Sequence, residues 1–221
     1  MLTDVMLEKC KTAIDKHIEG LRRLNKMWLD PKVLFYDDNI EDYLERMKNE
    51  GAVVLAGPTS RDAIPDYLWR KDAHHYLRAS GFEGFIIVPE FRGQSYLQNT
   101  FKDDFTSSEF VRHWERTGLR HSQYRMFWIP RNREQLLGLT TNRELGQWIA
   151  FAENDLEVSK RLFIGWPDGT PNMGSLEFEI HTSKVGDCRN DGEVNIKFCH
   201  YSGLKLMCDM VSDSYSEDFK L

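Results

Sequence analysis

Ala52-Val53-Val54-Leu55-Ala56, followed at once by Gly57-Pro58, is the stretch that decides the fold. Five consecutive apolar residues closed by a turn pair suit a strand buried on both faces, as inside a parallel sheet. Phe85-Ile86-Ile87-Val88, closed by Pro89-Glu90, has the same character. So do Arg125-Met126-Phe127-Trp128-Ile129, ended by Pro130-Arg131, and Arg161-Leu162-Phe163-Ile164-Gly165-Trp166. Helical periodicity fills the intervals. Tyr67–Ser80 puts Leu68, Ala73, Tyr76 and Leu77 inward, with Gly81 at the C-cap position. Glu109–Leu119 is a further helix, and Leu145, Trp148, Ile149 and Ala152 mark the next. Strands alternating with helices at these lengths predict a parallel α/β sheet with helices on both faces.

Outward from this core the pattern changes. Residues 1–49 read as a helical N-terminal extension, with Met6, Cys10, Ile14, Ile18 and Leu21 at three- and four-residue steps. That stripe must pack on the body of the protein or on a second subunit. Pro31 interrupts it, and a second helix is expected over Ile40–Lys48, started by Asp38 or Asn39. Residues 50–170 hold the α/β pattern. In residues 171–221, Ser175–His181 and Glu193–His200 look strand-like, with an Asp191-Gly192 turn between them, so a C-terminal β-hairpin is expected. The polar, acidic Ser212–Leu221 is expected to fray.

Composition narrows the function. Net charge is −6, which disfavours a broad nucleic-acid-binding surface. No apolar run approaches the length of a membrane span. Met1-Leu2-Thr3-Asp4 lacks the basic and apolar regions of a signal peptide, so a cytoplasmic location is expected. Cys10, Cys188, Cys199 and Cys208 show no C-x-x-C spacing; they read as reduced thiols, and neither metal nor cofactor is expected.

The turns after the strands carry the chemistry, because ligands of open α/β sheets bind at the carboxyl ends of the strands. Gly57 permits close backbone approach, and Thr59, Ser60 and Arg61 offer donors to a sugar or phosphate. Leu139-Thr140-Thr141-Asn142-Arg143-Glu144-Leu145-Gly146-Gln147-Trp148 is the most suggestive turn. Here Glu144 falls in the first turn of a helix, with its carboxylate able to reach the cleft above the sheet. Thr141-x-x-Glu144 is equally a capping box, with Thr141 at the N-cap and Glu144 at N3. Trp128, inside a strand run, reads as core rather than as a stacking platform.

Val54-Leu55-Ala56-Gly57-Pro58-Thr59, Trp69-Arg70, Pro89-Glu90, Trp114-Glu115, Phe127-Trp128-Ile129-Pro130-Arg131 and Thr140-Thr141-Asn142-x-Glu144-x-Gly146-x-Trp148 occur in that order. As an ordered set over about residues 50–170 they resemble the nucleoside 2-deoxyribosyltransferase-like family. The resemblance implies a flavodoxin-like sheet and cleavage of the N-glycosidic bond of a deoxynucleoside. It implies Glu144 as the nucleophile, forming a covalent glycosyl-enzyme that a second base intercepts. Glu115 matches a second family acid that contacts base or sugar. Gly57, Pro58, Thr59, Arg61, Arg70, Arg131, Thr140, Thr141 and Asn142 are the implied substrate contacts, with the arginines suited to a 5′-phosphate. The chain departs from the classical pattern after the third strand, where Ile129-Pro130-Arg131 stands in place of an acidic residue. Hydrolysis of a nucleoside 5′-monophosphate, or a non-catalytic nucleotide-binding module, are the alternatives. The implied partners are a small nucleoside or nucleotide and, in a homo-oligomer, a second copy of the chain.

Overall fold

The computed structural model describes residues 4–58, 68–92, 105–130, 139–171, 173, 174, 176 and 203–219. Its strands are β1 (Val33–Leu34), β2 (Ala52–Ala56), β3 (Phe85–Ile87), β4 (Tyr124–Trp128) and β5 (Leu162–Gly165). They form one sheet in the order β1-β3-β2-β4-β5, and every pairing is parallel. Val53 sits between Ile86 on one side and Tyr124 on the other. The chain leaves β2 for β3 on one flank and then crosses to β4 on the opposite flank. This reversal makes the sheet doubly wound, as a flavodoxin-like fold requires.

Strand alternation divides the apolar residues between two layers. Val53, Leu55, Ile86, Tyr124, Met126 and Phe163 face α1 (Asp4–Leu29), α3 (Trp69–Ala79) and α7 (Leu204–Phe219). Val54, Phe85, Ile87, Phe127, Leu162 and Ile164 face α2 (Leu44–Glu50), α4 (Phe105–His121) and α5 (Leu139–Ala152). A short helix, α6 (Leu156–Lys160), leads into β5. Among the described residues no helix is long and apolar enough to cross a membrane. Trp128 is buried in the first layer, as its place in a strand run suggested.

Local chemistry explains the ends of α3. Gly81 has φ +86°, its N–H donates to Arg78 O, and Phe82 N–H reaches back to Leu77 O at 2.9 Å. That is a Schellman arrangement, and it depends on the glycine. At the other side of the helix, Asp30 accepts from Arg78 Nε at 2.8 Å and lies 2.9 Å from His74 Nε2. These bonds hold the Asp30 carboxyl well below its ordinary range and dock the end of α1 on α3.

Three expectations need correction. The segment before residue 50 is more than a helical extension, since Val33–Leu34 pairs with Ile86 and Ile87 as an edge strand. Two residues are too few to carry a readable period. The expected Ile40–Lys48 helix is a 3₁₀ turn, Ile40–Tyr43, continued by α2, and Asn39 caps neither with its side chain. The residues expected to fray belong instead to α7. Met207, Cys208, Val211 and Tyr215 are buried at helical spacing beneath the acidic surface. Tyr215 packs 4.6 Å from the Phe82 ring, and a Cβ added to Gly51 would lie 2.7 Å from its ring. Tyr124 Oη donates to Asp218 at 2.6 Å. The expected strands Ser175–His181 and Glu193–His200 lie outside the described residues, except Leu176, which is helical and buried. Cys188 and Cys199 are outside them too, whereas Cys10 and Cys208 are free thiols. On α1, the expected stripe is buried only from Leu24 onward; Ile14, Ile18 and Leu21 stay exposed.

The burial of α7 is measurable. Tyr215→Ala should cost about 3 kcal/mol in urea unfolding, the usual scale for deleting a core aromatic. Leu206→Ala, on the exposed side of the same helix, should stay within about 0.5 kcal/mol. Equal, small effects would mean that α7 is not part of the folded core.

Candidate active site

The turns after β1, β2 and β3 meet at the carboxyl end of the sheet, and Arg70 joins them. Its residue is 1% exposed. Nε donates to Leu55 O at 2.9 Å and Nη2 to Gly57 O at 2.7 Å, both at the end of β2. Nη1 pairs with the Glu90 carboxylate, itself 3% exposed, just after β3. Glu90 O in turn accepts from Tyr36 N–H at 2.9 Å, two residues beyond β1. The guanidinium also lies 4.7 Å from the centre of the Trp69 ring. Arg70 therefore positions strand ends, a different task from contacting a 5′-phosphate.

Gly57 is required here for a reason of its own. Its φ is +153°, and a Cβ would fall 2.2 Å from Trp128 O at the end of β4 and 2.8 Å from the Trp69 ring. Pro58 O accepts from Trp69 Nε1 at 3.1 Å. The glycine lets β2 and β4 close together at the point where the strand order reverses.

Two carboxyls enter this junction from the helices above. Glu115 comes from α4, next to the buried Trp114, whose Nε1 donates to Asp38 O at 3.0 Å. Tyr36 Oη donates to Glu115 Oε1 at 2.6 Å. The Tyr36 ring is set edge-on between Phe91 and Trp114, with centroids 5.2 and 5.0 Å away. Burial, and then the neighbouring Glu115 charge, push the Tyr36 hydroxyl far above its ordinary pKa, so it stays a donor. Burial also raises Glu115, against the Tyr36 hydrogen bond and the charges of Arg70, Arg143 and Arg112.

Glu144 comes from α5. Burial and the Glu115 charge raise its carboxyl to about 7, opposed by Arg143, Arg70 and Arg116. Both acids thus sit in one electrostatic field, with the ionised form of Glu115 favoured by Tyr36. The helix start differs from the one expected. α5 begins at Leu139, so Thr141 lies inside it, buried, and Glu144 is in the second turn. The capping-box reading of Thr141 and Glu144 is therefore replaced, as is an N-terminal placement that would depress the Glu144 pKa. Asn142 is half-buried in the same turn of α5.

The structure thus brings together Gly57, Pro58, Arg70, Glu115 and Glu144. Thr59, Arg61 and Arg131 lie outside the described residues, and of Thr140 only the helical backbone is described. Two members of the junction carried no readable role in the sequence. Tyr36 follows a strand too short to recognise. Glu90 shows only as a polar residue closing a strand, and a buried arginine 20 positions earlier has no local signature. Among the described residues no group of three His, Cys, Asp or Glu side chains is placed to hold a metal.

Arg70 and Glu90 are explained by folding, since each neutralises the other. Glu115 and Glu144 are not: two like charges brought together out of water destabilise the fold, and such arrangements concentrate at functional sites. Chemically, the site offers two carboxyls raised above their ordinary range, beside a fixed phenol.

Two stability measurements separate these roles. Arg70→Met leaves Glu90 buried without its partner and should cost about 3–5 kcal/mol in chemical denaturation. A change below about 1 kcal/mol would remove Arg70 as the strut of the junction. For Glu144, folding raises the pKa from its ordinary 4.5 to about 7. The folded state then binds more protons than the unfolded chain between these values, so this group's contribution to stability falls as pH climbs through that window. Glu144→Gln should match the parent below pH 4.5 and exceed it in stability above pH 7. A stability difference independent of pH would show that Glu144 is not buried against Glu115.

No family model matches the chain, and no curated protein matches it significantly.

Proposed function

We propose that the protein is a nucleoside 2-deoxyribosyltransferase-like enzyme, cleaving the N-glycosidic bond of a deoxynucleoside and passing the sugar to another base. The observation that carries this reading is the pair of carboxyls, Glu115 and Glu144, set at the carboxyl end of a doubly wound sheet and both raised above the ordinary carboxylate range. The order of motifs around it, from Gly57-Pro58 to Glu144, supports the choice of reaction.

The chemistry needs one charge and one proton. Glu144, ionised, attacks C1′ from the face opposite the base, and the C1′–N bond breaks through an oxocarbenium-like transition state. The departing base takes its proton from Glu115, which avoids release of a nitrogen anion. Glu115 is then the ionised member and is stabilised by the Tyr36 hydroxyl. An incoming base attacks C1′ of the glycosyl ester, gives its proton to Glu115 and frees the Glu144 carboxylate. Two displacements retain the anomeric configuration. The reading carries with it a cytoplasmic enzyme without a metal or cofactor. It also carries a homo-oligomer, for which the exposed Ile14, Ile18 and Leu21 of α1 provide contact area.

One chromatographic assay tests the proposal. The protein is incubated with each deoxynucleoside and each deoxynucleoside 5′-monophosphate, with and without a different free base. A new nucleoside that forms only with added base is the expected result. Release of base regardless of acceptor would replace transfer by hydrolysis, and no turnover of any substrate would leave a nucleotide-binding module. Glu144→Gln should abolish turnover while remaining folded, and Glu115→Gln should slow it by about 10²–10⁴-fold. Because Glu144 attacks as the carboxylate and its carboxyl is raised to about 7, kcat/KM should rise as pH climbs through that value.

A further inference from the structure

A second cleft opens at the opposite end of the sheet from the acid pair. It has a volume of about 490 Å³ and lies between α2, the turn from α4 into β4, and α6. That volume falls among small-molecule sites, which span roughly 300–1,000 Å³. Four permanent cations line it, Lys48, Arg120, Arg125 and Arg161, against two carboxylates, Glu45 and Glu157. Glu157 is already engaged by Lys160 at 3.0 Å and lies 3.7 Å from Arg161.

Two buried polar groups, Arg125 and Ser122, stand in its wall. Arg125 is 8% exposed, on the inward face of β4, and no carboxylate lies within 4.0 Å of it among the described residues. Among the described residues its guanidinium donates to backbone carbonyls: Leu119 at 2.8 Å, Arg120 at 3.3 Å and Gln123 at 3.3 Å. The first two belong to the last turn of α4, whose dipole offsets part of the charge. Burial and then the nearby Arg161 charge pull Arg125 down to about 10, against the charge of Asp155. Ser122, 2% exposed, has a hydroxyl with no hydrogen-bond partner among the described residues. A buried hydroxyl without a partner costs stability, and in a cleft lined by four cations an anion with several acceptor oxygens supplies one.

We propose that this cleft binds a phosphorylated small molecule, with its phosphate against Ser122 and Arg125 and with Lys48 and Arg120 at the mouth. The site is distinct from the acid pair, and the inference does not rest on the glycosyl chemistry proposed above. It has a physical link to that pair. The Arg125 guanidinium lies 3.9 Å from the centre of the Trp148 ring. Trp148 is one turn beyond Glu144 on α5. Drawing Arg125 toward an anion changes its contact with the helix that carries Glu144.

Calorimetric titration of the full chain at fixed ionic strength tests the site, with pyrophosphate and ribose 5-phosphate as probes. One saturable site with a Kd below about 1 mM is expected for at least one of them. Tighter binding of ribose 5-phosphate would mark an organic phosphate as the ligand, and tighter binding of pyrophosphate an inorganic one. The double variant Lys48→Glu, Arg120→Glu changes only exposed positions and should fold normally while binding at least about tenfold more weakly. Trp148 fluorescence should respond to the probe in the parent, and that response should vanish in Trp148→Phe. No saturable binding at about 10 mM, or binding unchanged in the double variant, would overturn the proposal. The latter result would place the anion elsewhere on the molecule.

Discussion

The buried guanidinium of Arg70 is the constraint on which the carboxyl end of the sheet depends. It bonds two carbonyls at the end of β2 and the carboxylate after β3. Through the Glu90 backbone it also fixes the residue that follows β1. Parallel strands hold one another by ladder bonds only as far as the ladder runs, and beyond it the chain ends need other partners. One planar donor fork supplies them at three places at once. Tyr36 is thereby held where its hydroxyl meets Glu115, so the geometry of the acid pair rests on an arginine that performs no chemistry.

Against that support stands an arrangement that works against folding. Glu115 and Glu144 are half-buried, burial raises both carboxyls, and the Glu115 charge raises Glu144 further. Tyr36 relieves one of them with a short hydrogen bond, and Arg70 and Arg143 relieve both by charge. What remains is an acid whose proton is balanced near neutrality. The opposite end of β4 holds a buried cation, Arg125, whose pKa burial and the Arg161 charge lower against Asp155.

Much of the fold was legible because burial on both faces leaves a mark in sequence. A parallel strand covered on each side must be largely apolar, and β2, β3 and β5 are short apolar runs, as is β4 apart from Arg125, each closed by Gly, Pro or both. Glu115 and Glu144 were legible as well, through the motifs around them. Tyr36 and β1 were not, because two paired residues after a proline have no period to read. α7 was hidden for another reason: Asp209, Asp213, Glu217 and Asp218 dominate its composition, although Met207, Val211 and Tyr215 keep a helical stripe.

By itself the sequence determined the class of fold, the identity of the four main strands and the two carboxylates worth watching. Those features follow from local patterning, in which each residue's neighbours along the chain report its environment. Only the tertiary structure decided the strand order, the role of Arg70 and the protonation of the acid pair. Each depends on groups brought together from distant positions, Tyr36 with Glu115, Arg70 with Glu90 and Arg125 with Trp148. A charge buried beside a partner many residues away has an energy set by distance and dielectric, and neither is written in the order of the residues.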